Sequence, residues 1–237
     1  MAEQIVTLEY SFSLKNGDQR TFAIRLRIPS MELQPSAAPP FPQWTRLGFH
    51  QCPGCPLKAD VHPHCPVAVG LVEVIGFFSN GVSHELADIL IRCPNREYRK
   101  RAPLQDAVGS LIGLHMVTSG CPILDKLRPM AYTHLPFATV EETLYRAISM
   151  YLLAQFLLAK RGRRPDWELK DLVTIYDAVS EVNRAFGVRI RNINTSDANL
   201  NALAALDCFA GLTAMVVGSD SLEDIEGMFG AYLQPPP

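Results

Sequence analysis

The spacing of apolar residues changes at Pro103: before it the period is two, after it about 3.6 residues. A chain that alternates in one half and repeats at helical spacing in the other builds a sheet first and helices second, which is an α+β pattern. Residues 5–14, IVTLEYSFSL, put Val6, Leu8, Tyr10, Phe12 and Leu14 on one face, and residues 22–28, FAIRLRI, do the same with Phe22, Ile24, Leu26 and Ile28. Asn16-Gly17 between them suits the positive backbone angles of a tight hairpin turn. ADILIRC and EYRKRA, separated by Pro94-Asn95, read as a second hairpin, so a small antiparallel sheet is expected. The proline-rich PSMELQPSAAPPFPQW reads as an extended connector, and VAVGLVEVIGFF as a short helix.

Beyond Pro103, PLQDAVGSLIGLHMV opens with proline at a first helical position. TVEETLYRAISMYLLAQFLLAKRG starts on a capping box, Thr139 with Glu142, and ends in Lys160, Arg161 and Gly162, as a helix terminus prefers. DWELKDLVTIYDAVSEVNRAF is expected to start at an Asp166 cap, with Leu169, Leu172, Val173, Tyr176 and Val179 in one stripe. SDANLNALAALDCFAGLTAMV and SLEDIEGMFGAYL complete a bundle-like helical half. The expectation is one α+β domain over 1–233: hairpin and connector at 5–48, a cysteine region at 49–123, helices at 124–233 and a disordered tail at 234–237.

The chain of 237 residues is 48% hydrophobic and 19% charged, enough for a substantial core. Its formal net charge of -2 argues against a dedicated nucleic-acid binder. The basic runs REYRKRA and KRGRRP read as an exposed edge strand and as dipole complementation at a helix end. LYRAISMYLLAQFLLAK is broken by Arg146, Ser149 and Gln155 and is shorter than the roughly 20 apolar residues of a bilayer span, so it reads as a buried core helix. MAEQIVTLEYSF has the pattern of a strand rather than a secretory signal, so a cytoplasmic protein is expected.

In a reducing compartment, six cysteines point to metal ligands or buried apolar groups before disulfides. CPGCPLKADVHPHCP, residues 52–66, carries Cys52, Cys55 and Cys65 as C-x2-C-x9-C. The two-residue gap lets a turn aim both sulfurs at one point, and soft thiolates select zinc, copper(I) or iron–sulfur clusters. Cys121 in TSGCPIL is the expected fourth ligand, in a turn between helices where its sulfur is free to point at a partner. Cys93 and Cys208 lie in apolar runs and read as buried packing residues. One pair plus two single, distant cysteines is the ligand arrangement of a [4Fe-4S] cluster more than of paired zinc knuckles. The leading expectation is therefore a Cys-ligated iron–sulfur protein in electron transfer or sensing, with a redox or protein partner. Zinc in a structural or interaction module is the alternative, with His62 or His64 as replacement ligands and His50 as another ligand or as a donor to one.

No phosphate loop, metalloprotease motif or nucleophile elbow occurs. His134, Glu142 and Arg146 cluster near a helix start, but Glu142 is explained by capping and no nucleophile–base set can be assembled. An enzyme site at His134 and Arg146 is the third reading, to be favoured if both side chains converge on a pocket.

WTRLGFHQCPGCPL, CPVAVGL, YRKRAPLQ, MVTSGCPILDKLRPM, HLPFATVEETLYRAISMYLLAQ, PDWEL and DANLNALAALDCFA are spread along the chain. Together they resemble an uncharacterised bacterial family, a domain of unknown function, over nearly its whole length. The resemblance implies a single domain and draws notice to Cys52, Cys55, Cys65 and Cys121, without implying an activity or a cofactor.

Overall fold

A computed structural model describes residues 4–34, 39–193, 197–219 and 222–233, and the tail expected at 234–237 lies outside these. One antiparallel sheet is formed by β1 (Gln4–Ser13), β2 (Gln19–Ile28), β3 (Glu32–Leu33), β4 (Leu86–Cys93) and β5 (Arg96–Pro103) in the order β3-β2-β1-β4-β5. Both expected hairpins are present and share an edge through β1 and β4. Tyr10 in the central strand stands opposite Phe22 on one side and Ile91 on the other. Alternation does the rest: Leu8, Tyr10, Phe12, Phe22, Ile24, Leu26, Ile89 and Ile91 are all buried on one face. Phe12 meets Phe78 edge-on at 4.8 Å between ring centres, and burying such a side chain contributes about 1.5–3 kcal/mol.

Two expectations about the sheet are corrected. The first turn spans Leu14–Asp18 rather than two residues, with only Gly17 at positive φ (91°) while the Asn16 side chain accepts from Asp18 N at 3.0 Å. The proline-rich connector contributes the edge strand β3, paired with Leu26 and Arg27 of β2. β5, which carries the REYRKRA run, is the opposite edge, and its Arg96, Glu97, Arg99, Lys100 and Arg101 are exposed.

Helices α1 (Pro66–Gly70) and α2 (Val72–Phe77) lie between the hairpins. They are followed, after β5, by α3 (Leu104–Thr118), a 3-10 segment (Leu124–Ala131), α4 (Val140–Lys160), α5 (Lys170–Arg191), α6 (Asp197–Gly218), α7 (Glu223–Glu226) and α8 (Gly230–Leu233). α6 packs on both α3 and α5. Where α3 and α6 meet, Gly109 leaves room for the Ala202 backbone: an added Cβ would lie 3.7 Å from the Ala202 carbonyl oxygen. By length and composition α6 is the one helix among the described residues apolar enough to cross a bilayer, and a third of that window is buried.

The capping box on α4 is formed as read, Glu142 N donating to Thr139 Oγ1 and Thr139 N to Glu142 Oε2. Other helix boundaries shift. Pro103 ends β5 and caps α3 instead of opening it, and α5 begins after Leu169, whose φ is 60°. Asp166 still serves that terminus from outside: its Oδ2 accepts from Asp171 N and from Tyr151 Oη, both at 2.8 Å. The α4 stretch is amphipathic rather than fully buried, since Leu144, Ala147, Ile148 and Tyr151 face inward while Leu153, Phe156 and Leu157 are exposed.

Candidate metal centre

The loop carrying Cys52, Cys55 and Cys65 is held by its own backbone and by α5. Cys55 N donates to Cys52 O at 3.1 Å, closing a turn over Pro53-Gly54, the pair of residues that forms turns most readily. Gly54 presses on α5, where an added Cβ would lie 3.1 Å from Glu181 Oε2. At the far end Cys65 N donates to Thr45 O at 2.8 Å and Leu47 N to Pro63 O at 2.9 Å. Cys65 is then the N-cap of α1, with Pro66 at the first helical position. Cys121 follows Gly120, whose φ of 83° turns the chain out of α3. The backbone N–H groups of Leu124 and Ile123 address its sulfur, an arrangement that favours the thiolate.

The four cysteines expected as ligands act on one another. Burial pushes the Cys52 thiol up to about 12, and Cys65, Cys121 and Cys55 push in the same direction while Arg189 opposes them. Burial also raises Cys121, with smaller contributions from Cys65 and Cys55. The Cys52 and Cys121 thiols resist ionisation unless a cation joins them. They do not form a finished cage: among the described residues no three His, Cys, Asp or Glu side chains are arranged to hold a metal ion.

The sequence reading missed Arg189. It is 2% exposed near the C-terminal end of α5, with its guanidinium turned into the cysteine loop. Nη1 donates to Trp44 O at 2.7 Å and Arg46 O at 2.8 Å, and Nη2 to Leu47 O at 3.2 Å and His50 O at 3.5 Å. Among the described residues no carboxylate forms an ion pair with it; the titratable groups that act on it are Cys65, Cys52 and Cys55. A signal was available in the sequence, because Arg189 falls on the buried stripe of Val182, Phe186 and Ile190, where an arginine demands a reason.

The histidines stand elsewhere. His62 is exposed, and His50 is exposed at a φ of 47° with its ring edge-on to Phe49. His64 pairs through Nδ1 with Thr45 Oγ1 at 2.8 Å and rests against Phe41. Since Thr45 Oγ1 donates its proton to Pro42 O, His64 Nδ1 is the donor to Thr45, and this imidazole braces the loop. All six cysteines are free thiols. Cys93 is half-buried against the core, whereas Cys208 is exposed on α6, which corrects the reading of both as buried. Cys208 misses the core because Ala204, Cys208 and Gly211 lie on the outer side of α6 while Ala202 and Ala210 face inward.

His134 and Arg146 converge. Both line an open-mouthed cavity of about 420 Å³ between α3, α4, α5, α6 and the 3-10 segment. His134 Nε2 is hydrogen-bonded to Tyr10 Oη, and burial with the Arg146 charge holds its pKa down at about 3.

No curated protein and no solved structure matches this chain. A family model described as a domain of unknown function, DUF6901, matches residues 8–230, and the chain belongs to that family.

Proposed function

We propose that Cys52, Cys55, Cys65 and Cys121 bind a metal as thiolates, and that the protein is an iron–sulfur protein, its cluster of the [4Fe-4S] type serving electron transfer or sensing. The carrying observation is Arg189: a buried guanidinium in the field of the cysteines with no carboxylate paired to it among the described residues. A buried cation calls for negative charge nearby, and four thiolates on a divalent zinc or on an oxidised cubane supply a dianion. The N–H groups of Leu124 and Ile123 at Cys121 support the same reading, since donors to a ligating sulfur stabilise charge on it. Because the ligand cage is not preformed, metal binding would order the cysteine loop and be coupled to stability.

When bound, a cluster supplies one-electron redox chemistry. The chain's own part is to hold the loop by Arg189 and to link it, through Cys121, to the helical half. Zinc is the second reading: the buried Cys121 and the compact Cys52–Cys55 turn also suit a closed tetrahedral structural site.

Purification without oxygen, followed by visible absorption and by iron, sulfide and zinc analysis, is the test. Broad visible absorption with iron and acid-labile sulfide supports the cluster, stoichiometric zinc in a colourless protein supports the second reading, and a metal-free protein overturns both. Cys121→Ser should lower metal content while His62→Ala and His64→Ala leave it unchanged. The reverse pattern removes Cys121 from the ligand set.

A further inference from the structure

The cavity between the helices is a ligand site in its own right, separate from the cysteines. Its walls are apolar side chains from four elements, among them Leu114, Val117, Leu127, Val179, Leu206 and Phe209. Its volume of about 420 Å³ falls in the range of small-molecule sites. Among the polar groups on its lining, Arg146, His134 and Tyr176 have unused capacity for donating.

Arg146 is the only arginine among the lining residues. Its Nη2 donates to Met130 O at 2.9 Å, and its Nε is buried without a hydrogen-bond partner among the described residues. Glu142 is the carboxylate that acts on it, yet Glu142 is committed to Thr139 N in the capping box and forms no ion pair with Arg146. The Tyr176 hydroxyl, on the same lining, donates to the Met130 sulfur at 3.8 Å and has no other partner among the described residues.

His134 adds a directed donor. Tyr10 Oη is buried and has no other acceptor among the described residues, so its proton lies toward His134 Nε2, and the neutral imidazole carries its own proton on Nδ1. That Nδ1–H has no hydrogen-bond partner among the described residues. At the rim, Lys100 sits 5.0 Å from the centre of the Phe137 ring, and Phe137 takes a left-handed φ of 58°. The one acid on the lining, Asp106, is exposed in the first turn of α3, where the helix dipole offsets its charge.

We propose that this cavity binds an amphipathic carboxylic acid, its apolar body between α3, α5 and α6 and its carboxylate on Arg146, with His134 and Tyr176 as neutral donors. The occupant is an anion because the guanidinium has no paired carboxylate among the described residues, and its body is apolar because the walls are. A neutral lipid would leave Arg146 uncompensated, and a small inorganic anion would leave the walls unfilled.

The test is titration calorimetry of the full-length protein with decanoate and with decanol, which share a chain and differ in charge. Decanoate should bind at least about tenfold more tightly, the usual worth of a charge-assisted hydrogen bond. Arg146→Gln should abolish that preference while decanol still binds, with far-ultraviolet dichroism confirming the fold. Ala205 is exposed on α6 at the cavity rim, so Ala205→Trp should block both ligands without disturbing the core. Equal affinity for acid and alcohol, a preference that survives Arg146→Gln, binding that survives Ala205→Trp, or no binding of decanoate each overturns the proposal. None of these outcomes depends on metal content, which is measured on the same samples.

Discussion

Arg189 on α5 donates to the carbonyl oxygen of Trp44 at 2.7 Å, across 145 residues of sequence. With its bonds to Arg46, Leu47 and His50, it fastens the loop that leads into the cysteines to the helical half. Replacing it by methionine keeps an unbranched apolar stem but leaves buried carbonyls without donors. Arg189→Met should cost about 3 kcal/mol in denaturant unfolding and should lower metal content together with stability. Arg189→Lys keeps the charge but not the fork, and should recover only part of the loss. A loss below about 0.5 kcal/mol for the methionine variant contradicts the clamp.

Cysteine reactivity separates the thiols by position. Cys208 is exposed and Cys121 is buried, with burial raising the latter's pKa. In the folded metal-free protein an alkylating reagent should label Cys208 first and Cys121 among the last, as read by peptide mass spectrometry over time. Cys208→Ser should remove the fastest phase and leave stability within about 0.5 kcal/mol of the parent. Early labelling of Cys121 contradicts its burial.

Two buried histidines set an acid limit on stability. Burial holds His115 neutral down to a pKa of about 4, and burial with Arg146 holds His134 down to about 3, against roughly 6.5 in an unfolded chain. Below about pH 6.5 the unfolded state takes up protons that the native state does not. Native stability is therefore full above that pH and falls as the pH drops toward about 4, His115 alone contributing about 3 kcal/mol. Denaturant titrations at about pH 7 and about pH 4.5 measure this, and His115→Met should reduce the difference. An unchanged difference would remove His115 as its source.

The capping box of α4 gives a local check. Thr139→Ala removes the acceptor for Glu142 N and should cost about 1 kcal/mol by thermal or denaturant unfolding, with Thr139→Ser close to the parent. If alanine and serine behave alike, the hydroxyl is not what holds this terminus.

Local patterns carried much of the fold into the sequence. Alternation placed Leu8, Tyr10 and Phe12 on one face, because side chains in a strand point to opposite sides regardless of what packs there. The Thr139–Glu142 box was legible because both partners lie within one helical turn. Boundaries were less so: α5 starts at Lys170 instead of next to Asp166 because Leu169 takes a left-handed φ, a cost repaid only by tertiary contacts. Cys208 looked buried by its neighbours, yet which side of α6 faces inward was decided by α3 and α5.

By itself the sequence determined the α+β division at Pro103, the two hairpins and the membership of Cys52, Cys55 and Cys65 in one loop, since each follows from local geometry over a few residues. The tertiary structure alone decided that Arg189 enters that loop with no carboxylate partner among the described residues and that His134 and Arg146 share a cavity with Tyr176. Those relationships join residues far apart in the chain, and burial and charge act through space, where sequence spacing holds no record of distance.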